Sequence, residues 1–152
     1  MFLAHRGYGV VAFDQCAVGL KKAEQLAAIK GARIQTVVAD LSDYRTEPSQ
    51  WDGIVSIWYH LSRSLRVAVH RQVVAGLKPG GVFVLEAYTA AQFGRETGGP
   101  PTADLLLTLT EQRQDLNDLD LVYALERERA VHEGSGHDGL NAIVQIIARK
   151  RL

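Results

Sequence analysis

Two acidic residues, Asp14 and Asp40, each follow a short apolar stretch with the composition of a buried β-strand. Asp14 ends residues 9–14 (GVVAFD), and Asp40 stands near the end of residues 34–41 (IQTVVADL). In parallel α/β sheets a nucleotide binds beyond the carboxyl ends of the strands, where a carboxylate accepts hydrogen bonds from ribose hydroxyls. The pattern therefore predicts a nucleotide-type site in which Asp14 holds the ribose.

Each acid also has a structural explanation that the residues alone leave open. Asp14 could cap the helix that follows it, because an aspartate side chain accepts hydrogen bonds from the first N–H groups of a helix. Asp40 could be an ordinary loop carboxylate, since aspartate is common in turns.

Strands and helices alternate along the first half of the chain. Apolar residues at helical spacing predict a helix after Asp14 that ends at Gly31, and residues 51–58 read as a strand. The helix that follows this strand has a predicted inner face of Leu65, Ala68, Val69, Gln72, Val73 and Gly76. A sharp break at residues 78–81 (KPGG) precedes a further strand at 82–87, and this alternation predicts right-handed crossovers and a parallel sheet.

The C-terminal third has a different pattern. Residues 89–101 are small and polar and predict a loop long enough to act as a lid. Residues 119–131 and 139–150 read as two strands without a helix between them, which predicts an antiparallel hairpin that closes the sheet. The charges at 126–129 (ERER) are predicted to be solvated edge charges.

Composition narrows the class of protein. The 152 residues suit a single domain, 1–152, and 17 basic residues balance 17 acidic ones, which argues against a nucleic-acid partner. No apolar run is long enough to span a membrane. The one cysteine, Cys16, excludes an internal disulfide or a multi-cysteine metal site and fits a cytoplasmic protein. No metal is predicted, and Cys16 is interpreted as a small buried or helix-start residue.

Taken together, these elements resemble class I S-adenosylmethionine-dependent methyltransferases, an α/β family with a doubly wound, Rossmann-like, mostly parallel sheet closed by a C-terminal antiparallel hairpin. The residues that carry the resemblance are Asp14, the Ala-Asp-Leu at 39–41, and Leu77–Tyr88 (LKPGGVFVLEAY). Together with residues 97–100 (TGGP) and 137–139 (HDG), they look most like the tellurite-resistance-type or thiopurine-type branch.

The resemblance implies S-adenosylmethionine as cofactor and assigns it binding residues. Asp14 would bind the ribose, Asp40 the adenine amino group, and Leu41 the adenine ring, while Ile57 and Trp58 would border the methionine half. Tyr59, His60, Glu86 and Tyr88 follow or end the strands at the cofactor edge and are candidates for contact with a small-molecule methyl acceptor. His60 could instead be a structural histidine, and Tyr59 and Tyr88 could serve packing.

The resemblance covers the chain only from the end of the family's first helix, which predicts an N-terminally truncated domain. Residues 1–7 read as the last turn of a helix with Gly7 after it, and the first strand and glycine-rich turn of the family are absent. Removal of a central strand would leave two unpaired edges. A longer protein, direct pairing of the two edges, or a homodimer that completes the sheet would each resolve this.

The leading hypothesis is therefore a methyltransferase acting on a small molecule. A non-catalytic remnant that serves as an oligomerising or binding module is the alternative. A nicotinamide-dependent oxidoreductase shares the acid after the second strand, but the closing hairpin and the KPGG turn suit it less well.

Overall fold

The computed structural model describes residues 1–134 and 137–152, and the chain divides into two compact units, Met1–Arg45 and Thr46–Leu152. The predicted loop between the last two strands includes residues 135 and 136, which lie outside the described residues. None of the helices in the described part of the chain combines the length and apolar character needed to cross a membrane.

The N-terminal unit, Met1–Arg45, is built around one parallel strand pair. Its elements are α1 (Phe2–His5), β1 (Val11–Asp14), α2 (Ala17–Ile29) and β2 (Gln35–Val38). The two strands are joined through α2, so β1, α2 and β2 form one β-α-β unit with β1 parallel to β2.

Both helices of this unit end as predicted from their glycines. Gly7 follows α1 with a φ of +88°, and Gly31 follows α2 with a φ of +66°. After α1 the N–H of Tyr8 donates to the carbonyl of Leu3 (3.2 Å), the hydrogen bond of a left-handed C-terminal cap. A helical turn that ends before Gly7 is therefore present at Phe2–His5, as the residues predicted.

The C-terminal unit, Thr46–Leu152, contains a four-stranded sheet with the order β3-β4-β6-β5. Its elements are β3 (Trp51–Ile57), α3 (Arg63–Gly76), β4 (Leu77–Tyr88), α4 (Leu109–Asp115), β5 (Leu119–His132) and β6 (Asp138–Lys150), with short 3-10 turns at Ala90–Gln92 and Ala103–Leu105. β3 and β4 are parallel, whereas β6 is antiparallel to both β4 and β5.

The strands thus lie in two sheets, not in the single sheet expected from the sequence. Parallel pairs are present in both, β1–β2 in one and β3–β4 in the other.

The core of the C-terminal unit lies where α3 and α4 cover β4, β5 and β6. Its buried side chains are Val73, Leu77, Phe83, Leu85, Ala87, Leu107, Leu116, Leu119, Val144, Ile146 and Ala148. Burial of these side chains stabilises β4 and β6 in the middle of the sheet, and this core fixes the positions of the ends of β3 and β4.

The buried face of α3 agrees with the predicted one in Val73 and Gly76, which are buried, and in Val69, which packs against the core. Ala68 is exposed, and the buried residues of the helix are Arg66, His70, Val73 and Gly76. Arg66 is buried because Asp115 of α4 accepts a hydrogen bond from its Nε at 2.9 Å. This partner lies 49 residues away along the chain, so apolar spacing could not indicate that Arg66 is buried.

β4 also begins earlier than predicted. The KPGG segment lies inside the strand, where Leu77 pairs with Trp51 and Val82 with Gly53. Gly80 has a φ of +77°, and a Cβ on Gly81 would lie 2.8 Å from the carbonyl oxygen of Lys78. The glycines thus form an irregularity in the pairing and do not break the strand.

Candidate functional site

The two predicted acids of the N-terminal unit lie at the same edge of their sheet. Asp14 is the last residue of β1 and pairs with Val38, the last residue of β2, and Asp40 follows two residues later. The N–H of Ala39 donates to the carbonyl of Asp14 at 3.2 Å. Both carboxylates therefore stand at the carboxyl ends of adjacent parallel strands, where ligands bind in α/β sheets.

Each carboxylate is oriented by a backbone N–H two residues further on. Oδ1 of Asp14 accepts from Cys16 and Oδ1 of Asp40 accepts from Ser42, both at 2.8 Å. The hydrogen bonds from Ser42, first its backbone N–H and then its hydroxyl, lower the pKa of Asp40, so this exposed group is ionised at neutral pH. These backbone hydrogen bonds thus fix the orientation of both carboxylates, which can accept further hydrogen bonds from a ligand.

The structure also bears on the alternative explanations for these acids. Asp14 is not the cap of α2, because the N-cap residue is Cys16, whose Sγ accepts from the N–H of Gly19 at 3.3 Å. Cys16 is exposed, so its helix-start interpretation is confirmed and its burial is not. Asp40 does lie in a turn, where its side chain is exposed and Leu41 beside it is half-buried.

The carboxyl edge of the four-stranded sheet carries a cluster of rings in the C-terminal unit. Trp58 follows β3, and its N–H donates to the carbonyl of Glu86 at 2.9 Å. Its φ of +55° is unusual for a non-glycine residue. The Trp58 and Tyr88 rings stack with centroids 4.5 Å apart, and His60 stacks on Tyr88 at 5.3 Å. Three predicted site residues therefore meet here.

Two further residues join this cluster from the segment between β5 and β6. Nδ1 of His137 lies 2.7 Å from the Tyr88 hydroxyl, and Nε1 of Trp58 donates to Glu133 at 2.9 Å. Sequence analysis named His137 only within the HDG motif at 137–139, and it did not single out Glu133. The motif marked the family resemblance without showing what the histidine contacts.

Burial sets the protonation of the two inner rings. Both ring nitrogens of His60 are buried. Burial lowers the pKa of His60 more than the Leu105 backbone raises it, so the imidazole is neutral at physiological pH. Burial, followed by the Glu133 charge, raises the pKa of the fully buried Tyr88. Tyr88 is therefore a protonated phenol.

Glu86 lies two residues before Tyr88 in β4, and its carboxylate is already paired. It accepts hydrogen bonds from Arg129 and Gln145, and the Glu86 contacts raise the pKa of the Arg129 guanidinium. The prediction of four solvated charges at 126–129 is thus wrong for Arg129, which is only half-exposed because it reaches Glu86. The other three, Glu126, Arg127 and Glu128, are exposed as predicted.

The predicted lid is anchored to the sheet. Nε2 of Gln92 donates to Thr97, Gly98 and Asn141, and its Oε1 accepts from the N–H of Ala142 at 2.8 Å. Gln92 and Asn141 are both buried. These hydrogen bonds attach the loop to β6, so the loop forms a fixed border of the carboxyl edge of the sheet.

The remaining predicted residues lie at the end of β3. Ile57 is its last residue and is 46% exposed, whereas Tyr59 is half-buried between Trp58 and His60 along the chain. Within the described residues no group of three or more histidine, cysteine or acidic side chains is arranged to hold a metal ion.

Comparison with known proteins adds to this geometry. A family model described as a methyltransferase domain matches residues 1–81, which is more than half of the chain. The chain belongs to the methyltransferase-domain family. Membership of this family points to S-adenosylmethionine as the cofactor of the domain. No curated protein sequence matches the chain.

Solved structures of methyltransferases share the fold of this methyltransferase domain. TehB from Haemophilus influenzae is 17% identical with a TM-score of 0.78, covering 99% of this chain and 52% of TehB. A SAM-dependent methyltransferase from Methanosarcina mazei is 21% identical (TM-score 0.74; 99% and 85% covered). The N-methyltransferase NodS from Bradyrhizobium japonicum, in complex with S-adenosyl-L-homocysteine, is 16% identical (TM-score 0.69; 93% and 66%). This chain spans about half the length of TehB.

Proposed function

We propose that the chain is an S-adenosylmethionine-dependent methyltransferase-like protein that acts on a small molecule in the cytoplasm, and that it falls in the tellurite-resistance-type or thiopurine-type branch. The observation that carries the proposal is the pair of oriented carboxylates, Asp14 and Asp40, at one edge of a parallel strand pair. Hydroxyl and amino donors are the groups that such acceptors bind. The family match supports the same cofactor.

The residues fit an adenosyl group chemically. In this proposal Asp14 accepts from the ribose hydroxyls, Asp40 accepts from the adenine amino group, and Leu41 packs against the base. Ile57 and Trp58 border the methionine portion. The cofactor supplies a methyl group activated by a sulfonium, and the work of the protein is to align the acceptor with it and to exclude water.

The acceptor side of the proposal depends on the ring cluster. Tyr88 is fully buried and the His60 nitrogens are buried, so both residues pack beneath the exposed members of the cluster and are not expected to contact the acceptor. The half-exposed Trp58 and His137 are the members that a small molecule could touch. Tyr59 stays a candidate beside them. Aromatic faces bind flat or polarisable groups, which suits a small acceptor.

The test is a calorimetric titration of the purified chain with S-adenosylhomocysteine and, in parallel, with S-adenosylmethionine. We expect saturable binding, and we expect Asp14→Asn and Asp40→Asn each to weaken it by about tenfold to a hundredfold, the cost of removing a charged hydrogen-bond acceptor. Asparagine retains an oxygen for the Cys16 or Ser42 N–H, so the local turn is preserved.

The matched control is Asp43→Asn, which changes an exposed aspartate in the same segment and should leave binding unchanged. If the wild-type chain binds and neither Asp14→Asn nor Asp40→Asn weakens binding, the assignment of the site is wrong. A folded wild-type chain that binds neither compound contradicts the proposed function itself.

A second candidate function is the non-catalytic remnant, which serves as an oligomerising or binding module. The observation that favours it is the division of the strands into two sheets, because a two-stranded sheet is only marginally stable by itself. We propose that a further strand, supplied by a second copy or by additional residues of the same protein, pairs with the open edge of β1 or β3. Analytical ultracentrifugation with and without S-adenosylhomocysteine separates the candidates: a dimer that binds no cofactor supports the remnant.

A further inference from the structure

The hydrogen bond between Tyr88 and His137 determines which ring nitrogen of the histidine carries the proton. The Tyr88 oxygen lies 2.7 Å from Nδ1 of His137, and the phenol is fully buried and protonated. A buried hydroxyl donates its proton to an acceptor, and Nδ1 is the partner found for it among residues 1–134 and 137–152. The Tyr88 hydroxyl therefore donates and Nδ1 accepts.

The neighbours of Tyr88 leave this arrangement undisturbed. His60 and Trp58 meet the phenol through their ring faces, at interplanar angles of 10° and 21°, so neither offers an acceptor to the hydroxyl. His137 and Tyr88 are almost parallel, with 3° between their rings.

A neutral imidazole has one N–H, so an accepting Nδ1 places the proton on Nε2. The half-exposed His137 ring lies 6.3 Å from the Trp58 ring, at the edge where the sheet ends. His137 thus brings an N–H donor, and no basic lone pair, to this edge.

We propose that Nε2–H of His137 donates a hydrogen bond to the methyl acceptor, and that Tyr88 is the positioning residue that fixes this tautomer. The proposal rests on the proposed function and names its substrate class: flat small molecules whose nucleophilic oxygen or sulfur arrives deprotonated. The lone pair of the acceptor forms the new bond to the methyl carbon. The sulfur–carbon bond breaks with its electrons left on sulfur, and His137 keeps its proton throughout.

The tautomer is measured directly by two-bond ¹H–¹⁵N correlation spectra of the full chain labelled on histidine, at about pH 8, above the usual histidine pKa. His137→Gln assigns the signals by their disappearance. We expect an unprotonated Nδ1 and a protonated Nε2 in the wild type, and a mixture of both tautomers in Tyr88→Phe, which retains the ring stack. A wild-type Nδ1–H tautomer, or an unchanged spectrum in Tyr88→Phe, overturns the proposal. This measurement needs no activity, so it stays decisive if the proposed function fails.

The role in transfer is tested with S-adenosylmethionine and two probes, thiophenol and benzoate, with release of S-adenosylhomocysteine as the readout. Glutamine donates an N–H but cannot accept a proton, so His137→Gln should lose less activity than His137→Ala, which should lose about tenfold to a hundredfold. Equal loss in both variants would indicate a general base and overturn the donor role. No loss in either would overturn it as well. Absence of wild-type turnover with both probes counts against the proposed function and leaves the tautomer result standing.

Discussion

At the scale of single residues, α3 buries two polar side chains, Arg66 and His70, that face the same carboxylate. His70 lies close to Asp115, with Nδ1 and the carboxylate 3.8 Å apart, and Arg66 pairs with the same carboxylate. Burial lowers the pKa of His70 from 6.5 to about 4, although Asp115 opposes the shift, and the Arg66 charge lowers the pKa further. His70 is therefore neutral in the folded chain at pH values where it is charged in the unfolded chain.

This difference predicts an acid-sensitive stability. Between about pH 6.5 and pH 4 the unfolded chain binds a proton at His70 that the folded chain does not. The free energy of unfolding should therefore fall as the pH is lowered through this window, by about 3 kcal/mol. Urea unfolding at several pH values measures it. His70→Gln should flatten the slope, and the exposed control His5→Gln should keep it; a slope unchanged in His70→Gln would contradict the assignment.

Sequence reasoning found three of the five residues of the ring cluster and missed the other two for a physical reason. Trp58, His60 and Tyr88 follow or end strands, and strand ends are visible as local patterns. His137 and Glu133 reach the cluster across 49 and 75 residues, because β6 is antiparallel to β4 and brings its own beginning to the carboxyl edge. No local pattern encodes such a contact.

At the scale of elements, the alternation of strand and helix patterns and the glycines between them predicted where most helices and strands lie. The pairing of the strands was harder to predict from the sequence. α4 was not predicted, although Thr108 and Glu111 form a capping box at its start. Arg66 of α3 is buried against Asp115 of that helix, so the burial of Arg66 was missed together with α4. The roles of Asp14 and Asp40 stay predictions, as does the single domain at 1–152.

The close approach of α3 to the residues before β3 gives a prediction at this scale. A Cβ on Gly76 would lie 2.7 Å from Cγ2 of Thr46, whose hydroxyl accepts a hydrogen bond from Nε1 of Trp51. Gly76→Ala should therefore lower the free energy of unfolding by about 1 to 3 kcal/mol through overpacking. Gly53→Ala is the control, because its Cβ would meet only the Val82 carbonyl at 3.6 Å. Equal stabilities of the two variants in urea would contradict the predicted clash.

The anchored loop gives a second prediction for elements. Gln92→Leu removes the partner of the buried Ala142 N–H and of Asn141, so the loop should detach from β6. Limited trypsin digestion should then cut at Arg95 faster than in the wild type, because cleavage requires local opening. The exposed residue Gln114 supplies the control variant, Gln114→Ala. A cleavage rate at Arg95 that is the same in all three proteins would show that Gln92 is not the anchor.

At the scale of the whole molecule, the two units differ in how much they bury. The N-terminal unit buries two apolar side chains, Leu20 and Ala27, whereas the C-terminal unit buries the remaining apolar core. Local stability follows buried apolar contacts, so the units are not expected to open together.

Hydrogen exchange of the intact chain, followed by mass spectrometry, should show this difference. Amides of β1 and β2 should exchange much faster than those of β4 and β6. S-adenosylhomocysteine should slow exchange in β1 and β2 selectively, because a ligand stabilises the state it binds. Uniform protection across both units without the ligand would contradict the expectation.

The tie between Gln92 and β6 also has a kinetic meaning. Hydrogen bonds fix the conformation of the loop, and Gly99 lies against Gln92 and Tyr88. A small molecule that reaches this edge therefore meets a surface that does not need to rearrange. Binding would then be a single diffusive event. In a stopped-flow experiment the observed rate would rise in a straight line with ligand concentration and would not level off at the rate of an opening step.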